Sequence, residues 1–284
     1  MQAALALVMT TLHGYASPKT GAVYERAFAL TRNVANPPEL FQIMYGLSMN
    51  RGLGERFLEG LSIAEQMANY ADTSNDNSGH AVAHRFYGSL LFFLPDFERA
   101  KEHLESAIAS YEQLNSERLV DEYGHDPKVL SLLFLAQVQN YRGYPDRTVP
   151  LVHEAITHAE SLNFPYGTAH AHWIASQTFL DINDFGESGQ HSKKILTISE
   201  EKRFPFFSCI GAILSGWAGH CVQDPEAFKQ LEHNFRRLET ISPGMVTLQH
   251  IATLIDALIR EQQFDQAKRR ILDAVNESLS LIHI

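Results

Sequence analysis

The sequence predicts an all-α protein built from repeated helix pairs, and three observations support that fold class. One kind of turn motif recurs along the 284 residues. Small and large apolar residues keep fixed distances from these turns. No stretch alternates polar and apolar residues for long enough to indicate a β-strand pair. Together these features predict a right-handed α-solenoid of about seven antiparallel helix pairs.

The repeated turn is PDFERA at residues 95–100, with related turns at 183–188 (NDFGES), 223–228 (QDPEAF) and 262–267 (QQFDQA) and a looser one at 143–148 (GYPDRT). Aligning the chain on these turns gives one register residue per repeat. The register residues are 37, 43, 48, 40, 39 and 40 positions apart, and they are Thr20, Phe57, Ala100, Thr148, Ser188, Ala227 and Ala267.

Packing residues keep this register. Alanine occurs seven positions after the register residue in five of the seven repeats, and large apolar residues dominate four positions after it. Twelve positions before it, four repeats carry a small residue, namely Gly88, Ala136, Ser176 and Ser215. Small residues let the two helices of a pair approach closely, whereas large ones fill the grooves between pairs.

Several prolines in the sequence predict where helices begin. Asp126–Pro127 is typical of a capping side chain before proline at the first helical position, as are Ser17–Pro18, Asp224–Pro225 and Ser242–Pro243. Phe164–Pro165 and Phe204–Pro205 indicate two further starts. We expect a single repeat domain over 1–279 and a tail at 280–284, with helix pairs near 1–35, 37–71, 78–113, 127–162, 165–201, 204–240 and 243–279.

Composition limits the function classes. The formal charge of −10 disfavours contact with nucleic acid. No apolar run is long enough to span a bilayer, so no membrane partner is expected. Two cysteines, Cys209 and Cys221, are too few for a disulfide framework and indicate reduced thiols in a cytoplasmic protein.

The packing pattern resembles a known repeat family. The small-large-small spacing of Tyr87, Gly88, Leu91, Ala100, Leu104 and Ala107 is similar to the tetratricopeptide repeat, although a period near 40 exceeds that family's usual length of about 34. Four segments in order, HGYASPKTGAVYERAFAL, LFFLPDFERAKEHLESAIASYEQ, YGHDPKVLSLLFLAQVQNYRGYPDR and FPFFSCIGAILSGWA, resemble the C-terminal helical-repeat region of bacterial signal-transduction ATPase and adenylate or guanylate cyclase fusion regulators. Maltose-regulator-like transcription activators have a comparable layout. The resemblance implies a sensor or scaffold module and carries over no catalytic residue.

The sequence contains few motifs that are typical of catalytic, cofactor-binding or metal-binding sites. The chain has no P-loop and no nucleophile elbow, so we expect neither a catalytic residue nor a cofactor. His80 and His84, four apart on one predicted helix, could share a metal ion, but the sequence suggests no third ligand. We therefore expect no metal site.

The first helices of successive pairs should line a concave groove. Its inward positions predict a polar stripe with one tryptophan. This stripe could bind an extended peptide, or it could equally be polar only because it faces the solvent. The candidate binding residues are Arg85, Ser89, Gln137, Asn140, His170, Trp173, Gln177, His220, Asp256 and Arg260, with Gln42, Asn50 and Gln249 on the same face.

The longest repeat interval, 48 residues, places an insertion at 114–127. Insertions in solenoids form loops, often on the binding face. Tyr123, His125 and Asp126 could contact a partner. Alternatively, the loop packs over its own helix pair, with Asp126 capping the next helix and Gly124 providing a left-handed turn.

The leading hypothesis is a non-catalytic interaction module within a larger signalling ATPase, cyclase or transcription regulator. The alternative is a separate peptide receptor resembling the quorum-sensing helical-repeat regulators, although no DNA-binding helix-turn-helix precedes Pro18. A metal-dependent enzyme is a third, weaker hypothesis. The expected partners are a protein or peptide, or a small ligand, with self-association through a terminal pair as a further hypothesis.

Overall fold

The computed structural model describes residues 5–6, 9, 17–31, 40–53, 56–73, 76–111, 114, 116–221, 223–224, 226–241 and 245–282. Within these residues fourteen helices follow one another without a strand. They are α1 (Pro18–Thr31), α2 (Leu40–Leu53), α3 (Phe57–Thr73), α4 (Asn77–Phe93), α5 (Phe97–Tyr111), α6 (Ser116–Tyr123), α7 (Pro127–Tyr141), α8 (Pro145–Ser161), α9 (Pro165–Asp181), α10 (Phe185–Lys202), α11 (Pro205–Cys221), α12 (Ala227–Ile241), α13 (Met245–Arg260) and α14 (Phe264–Ile282).

The predicted all-α repeat fold is confirmed. Six complete pairs run from α2/α3 to α13/α14, interrupted by α6. The first helix of the first pair falls mainly on residues outside the described ranges, as does the proposed cap at Ser242–Pro243. Helix α14 continues to Ile282, so the tail expected at 280–284 begins as helix.

The turns inside three of the described pairs share one geometry. Gly143, Asn183 and Gln262 each lie five residues before their register residue and adopt positive φ values of 87°, 62° and 59°. The next backbone N–H in each repeat donates to a carbonyl five residues earlier, as in Tyr144 N to Gln139 O at 2.9 Å. This is the Schellman ending of a helix, and its recurrence explains why the turn motif could be aligned.

Close packing within a pair depends on small residues. A Cβ atom on Gly88 would lie 2.8 Å from Cγ of Leu104 and 3.1 Å from the carbonyl oxygen of Ala100. At the equivalent place in a later pair, Oγ of Ser176 donates to the carbonyl oxygen of Ser188 at 3.0 Å. The first and second helices therefore approach until their backbones nearly touch.

The first helices form one layer of the superhelix. Helix α4 contacts α7, α7 contacts α9, α9 contacts α11, and α11 contacts α13. Helix α14 also reaches α3, so the last pair meets an early one. No described helix is long and apolar enough to cross a membrane.

The insertion at 114–127 is not simply a loop. Residues 116–123 form helix α6, and Leu119 and Tyr123 on it are buried in the hydrophobic core beside Tyr45 and Phe86. An eight-residue helix forms here because its apolar side docks on the pairs around it, which the local sequence pattern did not reveal.

Candidate binding site on the inner surface

A column of ring and guanidinium side chains runs along the layer of first helices. It consists of Arg85 on α4, His125 before α7, His170 and Trp173 on α9, and His250 on α13. We call these five residues the inner column. Its Trp173–His250 contact joins the fifth pair to the seventh, and a contact that skips a pair in this way indicates the concave side of a superhelix.

Arg85 is the charged end of the inner column. Its Nη2 donates to the hydroxyl oxygen of Tyr45 at 3.1 Å and contacts Nε2 of His125. The Tyr45 hydroxyl lies 3.0 Å from the same Nε2. Burial lowers the pKa of His125 well below its ordinary value, and the Arg85 charge lowers it further, so the ring is neutral and accepts from its neighbours at pH 7.

The middle of the inner column is aromatic. The His170 and Trp173 rings stack with centroids 5.2 Å apart. Phe206 lies edge-on to the indole at 5.6 Å. Burial, with a smaller effect of Arg85, lowers the pKa of His170 to about 4. This segment therefore offers an uncharged aromatic surface.

At the far end of the inner column, a single hydrogen bond joins two helices that are distant in the chain. Nε1 of Trp173 donates to Nε2 of His250 at 3.0 Å, and burial alone lowers the pKa of His250 to about 4. Because Nε2 accepts from the indole, the neutral ring carries its proton on Nδ1. That N–H group is buried and has no partner among the described residues.

Other buried polar atoms on the first helices also lack partners within the described ranges. They are Nε of Arg85, Oγ of Ser131, Nε2 of His172, Oε1 of Gln177 and Nε2 of His220. Gln177 uses its amide nitrogen to donate to Asp181 at 3.1 Å, and its oxygen is buried without a partner among the described residues. A native protein has few such atoms, and each calls for an explanation.

A second cluster of candidate residues lies at the C-terminal ends of α11 and α13. The Arg260 guanidinium carbon is 5.2 Å from the Trp217 ring centroid, and its Nε donates to Asp256 at 3.2 Å. Nδ1 of His220 is 3.7 Å from Glu261. The structure therefore brings His220, Asp256 and Arg260 near one another but gives them no contact with the inner column.

The remaining candidates are engaged within the fold or lie apart. Ser89 donates to the carbonyl oxygen of Phe86 in its own helix at 2.7 Å. Asn50 donates to the carbonyl oxygen of Ser17 at 3.1 Å and so joins α2 to the start of α1. Among the others, Gln137 is buried, Asn140 and Gln249 are half-buried, and Gln42 is exposed.

The three candidates in the insertion have different roles. Asp126 caps α7 by accepting from the Val129 amide at 3.0 Å, and the hydroxyl of Tyr111 donates to its other oxygen. Tyr123 is buried against the Tyr45 ring at 5.6 Å. Only His125 belongs to the inner column. The insertion therefore packs over the neighbouring helices and also contributes one polar ring to the inner column.

The cavity beside His125 and His170 is small. It has room for about 10 Å³, no more than one water molecule. Phe164, Leu130 and Leu162 line its apolar side. A drug-sized ligand needs several hundred Å³, so the inner column is suited to surface contacts and not to enclosing a small molecule at this position.

Sequence reasoning missed Tyr45, His250 and Trp217. Tyr45 occupies a register position that holds small residues in four other repeats, and this departure was the available signal. Nothing local distinguishes His250, because its partner is 77 residues away.

The fold is similar to that of solved helical-repeat proteins. Aspartyl phosphate phosphatase F from Bacillus subtilis matches with a TM-score of 0.70 at 12% identity, over 100% of this chain and 70% of that one. A Rap protein complexed with Competence and Sporulation Factor matches with 0.66 at 12% identity, over 99% and 77%. Yeast Tom70 matches with 0.51 at 11% identity, over 93% and 57%.

No family model matches the sequence, and no curated protein matches it either. At such low identities, the structural likeness shows the fold alone. The neighbours are tetratricopeptide-like helical-repeat proteins, which confirms that part of the sequence resemblance. They give no support to the ATPase or cyclase context. The chain therefore has a tetratricopeptide-like solenoid fold.

Proposed function

We propose that this protein is a binding module that holds an extended peptide segment against the inner column. The observation that carries the proposal is the set of buried polar atoms without partners in the described part of the first helices, above all Nε of Arg85, Oε1 of Gln177 and Nδ1 of His250.

These atoms match what a peptide main chain offers. Arg85 Nε and His250 Nδ1 are donors, whereas Gln177 Oε1 is an acceptor. An extended peptide presents carbonyl oxygens and amide hydrogens alternately along its length. Leaving a buried polar atom unpaired costs about 1–3 kcal/mol. A peptide that displaces the side chains covering these buried atoms and pairs several of them recovers that free energy on binding.

Trp173 supplies an apolar contact. Its ring is flanked by His170 and Phe206, and the histidine is neutral because its pKa lies near 4. A bulky side chain of the peptide would stack there, which is the usual role of a buried aromatic anchor. A negatively charged group of the ligand would face Arg85.

The solved neighbours support a binding role. One Rap protein of this fold was crystallised with Competence and Sporulation Factor. The likeness concerns the fold only, and a different neighbour is named a phosphatase. Absence of catalysis in this chain stays a prediction.

The test is an array of short peptides with free C-terminal carboxylates, probed with the full chain and followed by fluorescence anisotropy on each peptide that binds. Arg85→Gln should weaken binding by at least about tenfold, a loss of about 1.4 kcal/mol. Arg99→Gln is the matched control, because Arg99 is exposed on α5 and outside the inner column. Absence of any binding peptide, or equal affinities for the two variants, would overturn the proposal.

We infer further that the module is the regulatory part of a larger cytoplasmic signalling protein. Support comes from the four segments that resemble regulators of that kind. Reading the gene around this coding segment tests the inference: an ATPase or cyclase domain in the same frame supports it, and a stop codon on both sides overturns it in favour of a separate receptor.

Self-association through the last pair is a separate proposal. Helix α14 exposes Phe264, Leu272 and Val275, which favours contact with a second copy of this chain. Light scattering at high concentration tests it, and a monomer would overturn it.

A further inference from the structure

A compact cluster of ligand atoms lies on a different face of α4 from Arg85. One oxygen, Oδ1 of Asp72 at the end of α3, is 3.1 Å from Nε2 of His80 and 3.0 Å from Nε2 of His84. The two imidazole rings stack with centroids 4.0 Å apart and an angle of 11° between them. Both Nε2 atoms therefore point the same way, toward one carboxylate.

The far nitrogens of both rings are already occupied. Nδ1 of His80 is 2.8 Å from Oγ of Ser110, and Nδ1 of His84 is 2.9 Å from Nδ1 of His103. Histidines that bind metals in proteins are held in this manner, with the second ring nitrogen hydrogen-bonded to an outer group that fixes the ring.

The proton on His80 can be located. The hydroxyl of Ser110 donates to the carbonyl oxygen of Ser106 at 2.9 Å. Its oxygen must then accept from His80, so Nδ1 carries the proton. A proton on Nδ1 leaves the Nε2 lone pair of the neutral tautomer available to a metal ion beside the carboxylate.

We propose that Asp72, His80 and His84 bind a zinc ion through Oδ1 and the two Nε2 atoms. Zinc bonds of about 2.0–2.1 Å place neighbouring ligand atoms about 3.3 Å apart in a tetrahedron, close to the separations of 3.0 and 3.1 Å observed here. Asp72 is exposed and His80 half-buried, so water can complete the fourth position.

The ion joins parts of the solenoid that are covalently distant. Asp72 belongs to the second pair, whereas His80 and His84 belong to the third. The outer groups Ser110 and His103 lie on α5. Zinc thus links α3 to α4 and braces α4 against α5, independently of any ligand on the inner column.

A later repeat contains the same arrangement without one ligand. Glu160, His172 and His191 are each 88 positions after Asp72, His84 and His103. The two rings again meet through Nδ1 atoms, at 2.8 Å, and Glu160 is 3.6 Å from Nε2 of His172. Thr168 occupies the place of His80. This repeat therefore shows how the fold is built when the third ligand is missing.

The test uses the full chain without a histidine tag, stripped with chelator and titrated with Zn²⁺ by calorimetry near pH 7.5. His80→Thr copies the residue of the later repeat. His233→Thr is the matched control, since it removes one exposed histidine from α12. Cobalt(II) provides a second readout through its visible absorption.

We expect one zinc per chain in the parent and in His233→Thr, with the affinity of His80→Thr reduced by at least about tenfold and its cobalt absorption lost. Asp72→Asn, with its exposed side chain, should repeat the loss if circular dichroism shows His80→Thr unfolded. The proposal is overturned if the parent shows no saturable binding, which would indicate an imidazolium–carboxylate pair, or if the variants of His80 and His233 bind alike.

Discussion

Nε1 of Trp173 donates to Nε2 of His250 across 3.0 Å, although the two residues are 77 positions apart. This bond joins the fifth pair to the seventh and passes over the sixth. It ties the far end of the inner column to the last helix pair.

Trp173→Phe should remove this bond and keep most of the ring contacts. His250 Nε2 is then buried without a partner, so the free energy of unfolding should fall by about 1–3 kcal/mol more than it does in Trp217→Phe. No described residue accepts from the Trp217 indole nitrogen. Urea unfolding followed by circular dichroism measures the difference, and equal losses in the two variants would contradict the expected role of the bond.

The fold could be predicted because the residues that specify each helix pair lie close together in the sequence. Turns with Schellman geometry recur in several of the described pairs. Four repeats carry a small residue at one fixed distance from the register residue, as Gly88 and Ser176 illustrate. The site could be predicted only in part. Arg85, His170 and Trp173 were expected on the inner face, but the positions of His125 and His250 depend on superhelical winding, which a single repeat does not encode.

The contact of Asp72 with His80 and His84 was not predicted, for a related reason. His80 and His84 stood out in the sequence by their helical spacing, but Asp72 lies in the preceding pair and its approach depends on how α3 packs on α4. The repetition of the Asp72, His84 and His103 set 88 positions later was visible in the sequence and would have indicated that the three residues act together.

Gly88→Ala should destabilise the protein. The added Cβ would lie 2.8 Å from the Leu104 side chain and 3.1 Å from a backbone oxygen, and such overpacking costs about 1–3 kcal/mol. Gly189→Ala is the matched control, because nothing lies within 4 Å of its Cβ position inside α10. That change should stabilise the helix by about 0.5–1 kcal/mol. Thermal unfolding of both variants checks the opposite signs, and a shift in the same direction for both would refute the packing argument.

Stability should fall as the pH drops below about 6.5. Burial lowers the pKa of His84 and His250 to about 4 and is the largest cause of a pKa of about 3 at His172. These rings stay neutral in the folded chain but take up protons in the unfolded chain, whose histidines titrate near 6.5. The unfolded state therefore binds more protons between about pH 6.5 and 4, and stability is lost as pH falls through that window.

His250→Gln isolates one of these groups. Its removal should reduce the pH dependence of the unfolding free energy by up to about 1.4 kcal/mol per pH unit, the contribution of one proton. Urea midpoints at pH 7, 6 and 5 measure the slope for the parent and the variant. Parent midpoints that do not change across this range would show that the histidines are not held neutral.

Thr168→His should create a second zinc site, if the first is formed as proposed. The new ring would stand where His80 stands in the earlier repeat, beside Glu160 and His172, which are already 3.6 Å apart. The His191 ring would hold His172 in place as His103 holds His84. Calorimetry should then show two zinc ions per chain where the parent binds one. Thr168→Ser, which adds no ligand, should leave the stoichiometry at one, and a ratio of one in both variants would mean that the repeated geometry does not by itself make a metal site.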